Sequence, residues 1–158
     1  ALPSSGQTEI VDESFRIFAS ERIVKFVEME YAIPREFCGE VLQRIRKMID
    51  DKGHLVSFPV EVRFTASDNI ALSTATGRET AYIAVHMYKG MAYEPYFRDV
   101  ADIMSDYEGR PHWGKMHFLT QQQLSKLYPR WNDFLSARDL IDPHRVFANS
   151  YTNQVFGK

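Results

Sequence analysis

The clearest periodicity in the chain runs over residues 55–66, LVSFPVEVRFTA. Val56, Phe58, Val60, Val62 and Phe64 fall on one side of an extended chain, and Ser57, Pro59, Glu61, Arg63 and Thr65 on the other. That two-residue period belongs to a strand with one face on a core. Pro59 has no N–H to give to a ladder, so the strand lies at a sheet edge or carries a bulge there. Glu61 and Arg63 then project from the same face, roughly 7 Å apart by strand rise.

Two other stretches share this pattern. In residues 80–88, Ala81, Ile83, Val85 and Met87 form an apolar face opposite Tyr82, Ala84, His86 and Tyr88. In residues 22–32, Ile23, Lys25, Val27, Met29 and Tyr31 oppose Val24, Phe26, Glu28 and Glu30. The glutamate face is expected in solvent or in a polar cleft. Between the strands, Pro34 suits the first turn of a helix that runs to about Lys52 and stops at Gly53. Its stripe is Phe37, Val41, Leu42, Ile45, Met48 and Ile49; Cys38 beside it reads as a packing residue rather than a nucleophile. Residues 67–79 read as a loop. A second amphipathic helix over 94–108 carries Phe97, Val100, Ala101, Met104 and Tyr107, with Gly109 as its end. The order β-α-β-β-α predicts an α+β fold, an antiparallel sheet with helices on one side. Helices near 120–128 and 130–140 follow, then a loop-rich tail from Phe147.

A chain of 158 residues, 44% apolar and 25% charged, is long enough for a buried core and too ordered in composition for a disordered segment. A net charge of −2 gives no general attraction to nucleic acid or anionic membrane. The single Cys38 excludes an internal disulfide and makes a reducing, cytoplasmic compartment the expectation, with or without membrane association. No apolar run has the roughly 18 residues of a membrane-spanning helix. Residues 1–14, with Pro3, Ser4, Ser5 and Gly6, read as a linker, and the first residue is Ala. The expectation is a fragment of a longer protein or a processed product.

If strands 55–66 and 80–88 share a sheet, Glu61, Arg63, His86 and Tyr88 collect on the face away from the helices. That face is a polar pocket wall or, more plainly, a solvated surface with a salt bridge. The run RPHWGKMH at 110–117 adds two imidazoles, an indole and a lysine, with Pro111 and Gly114 shaping the backbone. It is too polar for a core strand, and its plain reading is a turn anchored by Trp113. Five-residue spacing of His112 and His117 without a nearby carboxylate or Cys is poor for zinc, so no metal is expected. Neither G-x-S-x-G, G-x-G-x-x-G nor a P-loop occurs. Glu61, Arg63, His86 and Lys115 remain. An ionised carboxylate accepts from hydroxyls, a guanidinium donates in a fixed fork, and a lysine stabilises negative charge developing on a redox ring. Such a set suits an uncharged polyhydroxylated substrate.

Several motifs together resemble the sugar-1,4-lactone oxidoreductases, flavoproteins of the vanillyl-alcohol-oxidase type that include gulonolactone, arabinonolactone and alditol oxidases. They are MEYAIPRE at 29–36, E-V-R-x-x-A-x-D at 61–68 with Leu72-Ser73, RPHWGK at 110–115, Tyr128-Pro129, F-x-x-x-R at 134–138 and D-P-x-x-x-F-x-N-x-Y at 142–151. The resemblance covers about Val11 to Gly157 and implies FAD as cofactor. It implies that Glu61 and Arg63 bind and orient the substrate beside the flavin, with Lys115 near both. His86 would lie on the adjacent strand, and Tyr88, where alditol-oxidising members carry threonine, would bear on substrate choice. His112, Trp113 and Gly114 would shape the flavin pocket. The implied reaction is hydride transfer from a hydroxyl-bearing carbon of a sugar lactone to flavin, then electron transfer to oxygen or another acceptor. An alditol substrate and a stand-alone, non-catalytic binding module are the alternatives. Family members hold FAD mainly through an N-terminal domain, whose pyrophosphate loop is not in these 158 residues. The resemblance therefore divides the chain into a linker (1–14), part of a substrate or cap domain (15–109) and a segment returning to the FAD domain (110–158). It also implies that the chain alone retains no FAD.

Overall fold

The structure, a computed structural model, describes residues 9–17, 19 and 23–157. Residues 1–8 of the expected linker, and Arg22 at the expected strand start, lie outside them. A short exposed helix, α1 (Ser14–Ile17), precedes β1 (Phe26–Pro34). The strand runs through Pro34, and a 3-10 turn over Arg35–Phe37 leads into α2 (Cys38–Lys52). The helix thus begins later than Pro34 suggests, because the β1 ladder extends to the Pro34–Thr80 pair. Gly53 closes α2 in the left-handed conformation that glycine adopts without a Cβ penalty. Cys38 is buried, and burial pushes its thiol pKa up, as a packing residue requires.

Next come β2 (Glu61–Thr65), β3 (Thr80–Tyr88), α3 (Glu94–Ser105) and the two-residue β4 (Arg110–Pro111). The C-terminal part adds α4 (Gln121–Leu127), α5 (Trp131–Ile141) and α6 (Ser150–Phe156). The pairings within the four-stranded sheet are antiparallel, in the order β2-β3-β1-β4. This β-α-β-β-α-β arrangement is the split βαβ of ferredoxin-like α+β folds. Arg110-Pro111 corrects the sequence reading: the start of the polar run is a buried edge strand against Tyr31 and Ala32. Pro111 is tolerated there because an edge position leaves its missing N–H without a partner to disappoint.

Helices α2 and α3 cover one sheet face. Met29, Tyr31, Ile33, Ala81, Ile83, Val85 and Met87 pack there against Val41, Ile45, Phe97, Val100 and Met104. The strand expected over 55–66 forms only from Glu61, and Pro59 is the reason. Before it the chain leaves the ladder, and the alternation slips. Ser57 turns inward to Met87, while Phe58 crosses to the helix-free face against Phe26, His86 and Tyr88. A second core joins the C-terminal helices, with Leu124, Tyr128, Trp131 and Val155 buried beneath Trp113, Leu72 and Phe156. Helix α6 corrects the expected loop-rich tail. Asn149 caps it by accepting from the Thr152 amide, and Val155 seals it into this core.

Candidate active site

On β1, Glu28 and Glu30 lie on the face opposite the core. Register sets Glu28 beside His86 and Glu30 beside Ala84, while on the far side of β3 Glu61 also faces Ala84 and Arg63 faces Tyr82. Ala84 raises only a methyl group between β2 and β1. Arg63 therefore reaches over β3 and pairs with Glu30, while its Nε stays 3.4 Å from Glu61. Glu30 is 2% exposed, a carboxylate withdrawn from water in the middle of the sheet.

Its second cation comes from the 112–116 segment. The His112 amide donates to the Glu30 carbonyl and the Met116 amide to the Glu28 carbonyl, both at 3.0 Å. A step of two residues along β1 is thus matched by a step of four along 112–116. The surplus forms a β-turn closed by the Lys115 amide on the His112 carbonyl at 3.2 Å. Inside the turn the Gly114 amide donates to His112 Nδ1 at 3.0 Å, which puts the proton of the neutral imidazole on Nε2. Lys115 is aimed back over β1 by this turn. Its Nζ lies 2.5 Å from Glu30 Oε2 and pairs also with Glu28, whose carboxylate lies 3.1 Å from His86 Nε2. Gly114 needs no left-handed backbone, and a Cβ there would meet only the His112 ring, at 3.4 Å. The sharp bend therefore rests on hydrogen bonds rather than on glycine's freedom.

One row results: Glu61, Arg63, Glu30, Lys115, Glu28, His86. Burial opposes the charged form of Lys115, but hydrogen bonds and the charges of Glu28 and Glu30 outweigh it and raise the pKa above an ordinary lysine's. Burial likewise opposes the Glu28 carboxylate, yet Lys115 and His86 leave its pKa below the ordinary value. Lys115 and Glu28 thus hold each other charged.

Beside this row opens a cleft of about 470 Å³, lined by Glu30, Arg63, Phe64, Leu72, Ser73, Thr74, Tyr82, His112 and Trp113. One wall is the 68–77 loop, which closes on itself. Asp68 accepts from the Ile70 amide at 3.0 Å and from Ser73 Oγ at 2.5 Å, and the Gly77 amide returns to the Asp68 carbonyl. The Asp and Ser of the E-V-R-x-x-A-x-D and Leu-Ser motifs thus hold each other. Trp113 Nε1 donates to the Leu72 carbonyl at 2.9 Å, and its ring lies between the cleft and Tyr128 and Phe156. Thr74 and Tyr82 hydroxyls meet at 2.9 Å beside the cleft.

Of the residues expected at the site, Arg63, His112 and Trp113 line this cleft, and Lys115 sits behind Glu30. Glu61 is half exposed at the Arg63 end. His86 is buried between the Phe26 and Phe58 rings at the other end, its Nδ1 without a hydrogen-bond partner among the described residues. Tyr88 packs tilted against Phe58 with ring centroids 4.5 Å apart, outside the cleft. Sequence reasoning missed Glu28 and Glu30 as members, as well as Tyr82 and Thr74. The available signal was Glu-x-Glu on the non-core side of a strand, in a chain whose other loaded strand carried an arginine.

These features define an α+β domain with a small polar cleft on the helix-free face of its sheet. The D-arabinono-1,4-lactone oxidase family model matches residues 2–155, and the chain belongs to that family. It is 52% identical over 148 residues to L-gulono-1,4-lactone dehydrogenase of Mycobacterium tuberculosis, covering 94% of this chain and 35% of that protein. To the L-gulonolactone oxidase of Mus musculus it is 37% identical over 153 residues, covering 90% of this chain and 34% of that protein. Alditol oxidase of a Streptomyces species matches at 28% over 126 residues, 79% of this chain and 30% of that protein. The chain thus spans about a third of the length of the curated relatives it matches. Among the described residues, no helix is long and apolar enough to cross a membrane.

Proposed function

We propose that this chain is the substrate-binding part of an FAD-dependent enzyme that oxidises a CH–OH carbon of a sugar-1,4-lactone of the L-gulono or D-arabinono type. The observation that carries the reading is the buried Glu30 holding Arg63 and Lys115 at the edge of a cleft of about 470 Å³. That volume lies within the range of small-ligand pockets. Arg63 remains half exposed after pairing, so its free edge can donate to a ring or carbonyl oxygen, and Glu61 beside it can accept from a hydroxyl. Ser73 and Thr74 add hydroxyls from the loop wall, and Tyr82 adds one from the sheet. His112 offers an Nε2–H, and the Trp113 ring excludes water from one side.

The residues present fit one edge of a flavin rather than the whole dinucleotide. A lysine kept charged by two carboxylates suits a ring that gains negative charge, whereas no glycine-rich phosphate loop occurs in the sequence. FAD bound there would supply the hydride acceptor and pass the electrons to oxygen or another acceptor. On this reading residues 15–109 belong to the substrate domain and 110–158 return to an FAD-binding domain of the same protein. The full-length protein, screened with L-gulono-1,4-lactone, D-arabinono-1,4-lactone and an alditol against several electron acceptors, tests it. Glu61→Ala and Arg63→Ala should each cut kcat/KM by about 10²-fold or more while the flavin absorbance stays. Unchanged kinetics would remove both residues from the site.

A further inference from the structure

The charges of the row do not cancel evenly. Glu28, Glu30 and Glu61 supply three carboxylates, and Arg63 and Lys115 supply two fixed cations. Lys115 is spent between Glu28 and Glu30, and Arg63 between Glu30 and Glu61, so neither cation is free of a carboxylate. Glu30 is the only group in the row that touches both, and it also lines the cleft. A ligand entering there meets hydroxyls, a half-committed guanidinium and the Glu30 carboxylate that holds it.

We propose that Glu30 sets the charge preference of the site: as the shared buried counter-ion of Arg63 and Lys115, it makes the cleft accept an uncharged polyhydroxylated ring and turn away the ring-opened carboxylate. The inference rests on the functional reading above and deepens it. A 1,4-lactone and the aldonate formed by its hydrolysis carry the same hydroxyls and differ in net charge. An enzyme working on the first meets the second in the same solution. Without Glu30, Arg63 and Lys115 would keep one carboxylate each, and Arg63 would be freed towards the cleft, where a carboxylate ligand could take the vacated place in a bidentate pair. Glu30 acts through the two cations and is a positioning residue.

The test uses the full-length flavoprotein and two probes, L-gulono-1,4-lactone and L-gulonate. Calorimetry gives both affinities, and steady-state kinetics gives KM for the lactone and inhibition by gulonate. Wild type should bind the lactone about tenfold more tightly than gulonate or better, the effect of one unit charge at close range in a half-wet site. Glu30→Gln should erase most of that preference by tightening gulonate and raising the lactone KM. Glu30→Asp keeps the charge but shortens the reach, and should retain the preference while kcat falls. Wild type that binds gulonate as well as lactone overturns the proposal, as does folded Glu30→Gln with the preference unchanged. If Glu30→Gln does not fold, wild type and Glu30→Asp decide, since an aspartate variant that loses the preference also overturns it. If no lactone is oxidised by wild type, the functional reading fails, and the calorimetric comparison still tests Glu30.

Discussion

Lys115 gives up hydration on entering the sheet face, and two carboxylates replace it. Its folded pKa is raised, so its contribution to stability is complete below the unfolded value near 10.4 and is lost as pH climbs through the higher folded value. Glu28 has the opposite sign. Its folded pKa is lowered, so its contribution is present above the unfolded value of about 4.3 and is lost as pH falls through the folded one. Lys115→Met should therefore destabilise the protein by about 2–3 kcal/mol at pH 7, the worth of hydrogen bonds to charged partners. The deficit should shrink as pH falls from about 4.3 through the lowered folded pKa of Glu28, below which a protonated Glu28 no longer needs the ammonium. Urea unfolding of both proteins at pH 7 and at about pH 3 measures it; an equal deficit at both values would mean that Lys115 contributes packing alone. Sequence spacing placed Glu61 and Arg63 on one face, but Glu30 is 33 residues from Arg63 and 85 from Lys115. Pairs so distant are set by strand order, which no local pattern contains.

At the scale of elements, the strands and long helices were legible wherever one face is apolar, as in Thr80–Tyr88 and in α2 up to Gly53. What was illegible turned on partners far along the chain. Pro59 marked an irregularity but not that Phe58 would cross the sheet, and α6 is a seven-residue helix whose Val155 is fixed by the second core. The glycine before the site motif and the glycine inside it separate clearly. Gly109 lets α3 turn into β4: a Cβ there would stand 2.7 Å from the Met104 carbonyl oxygen and 3.1 Å from the Tyr31 ring. Gly109→Ala should cost about 1–3 kcal/mol, as overpacking against backbone does, with β4 pushed off β1. Gly114→Ala should stay within about 0.5 kcal/mol, since only the exposed His112 ring is near. Thermal melts of the pair check this, and comparable losses would mean that the 112–115 turn depends on glycine after all.

Across the whole molecule the two cores meet at Arg110. Its guanidinium is buried and donates only to carbonyls: Nε to Leu127 at 2.8 Å, and Nη1 to Thr76 at 2.7 Å and Thr74 at 3.2 Å. It lies over the Tyr128 ring at 5.4 Å, and burial lowers its pKa without taking its charge. One side chain thus ties the edge strand, the cleft-wall loop and the end of α4 together. An ammonium keeps the charge but not the planar fork, so it cannot reach Leu127 and the loop carbonyls with the same geometry. Arg110→Lys should therefore weaken the wall by about 2–3 kcal/mol, or roughly 30–150-fold in its opening equilibrium. Hydrogen exchange resolves where the loss falls. The Asp68 and Gly77 amides, which close the loop on Ala75 and Asp68, should exchange faster by that factor, while Met29 and Val85 in the β1–β3 ladder keep their protection. A uniform loss across loop and ladder would make Arg110 a general stabiliser instead. A loss confined to the loop would mean that the wall of the cleft is set from the C-terminal core, through a residue that never touches the ligand.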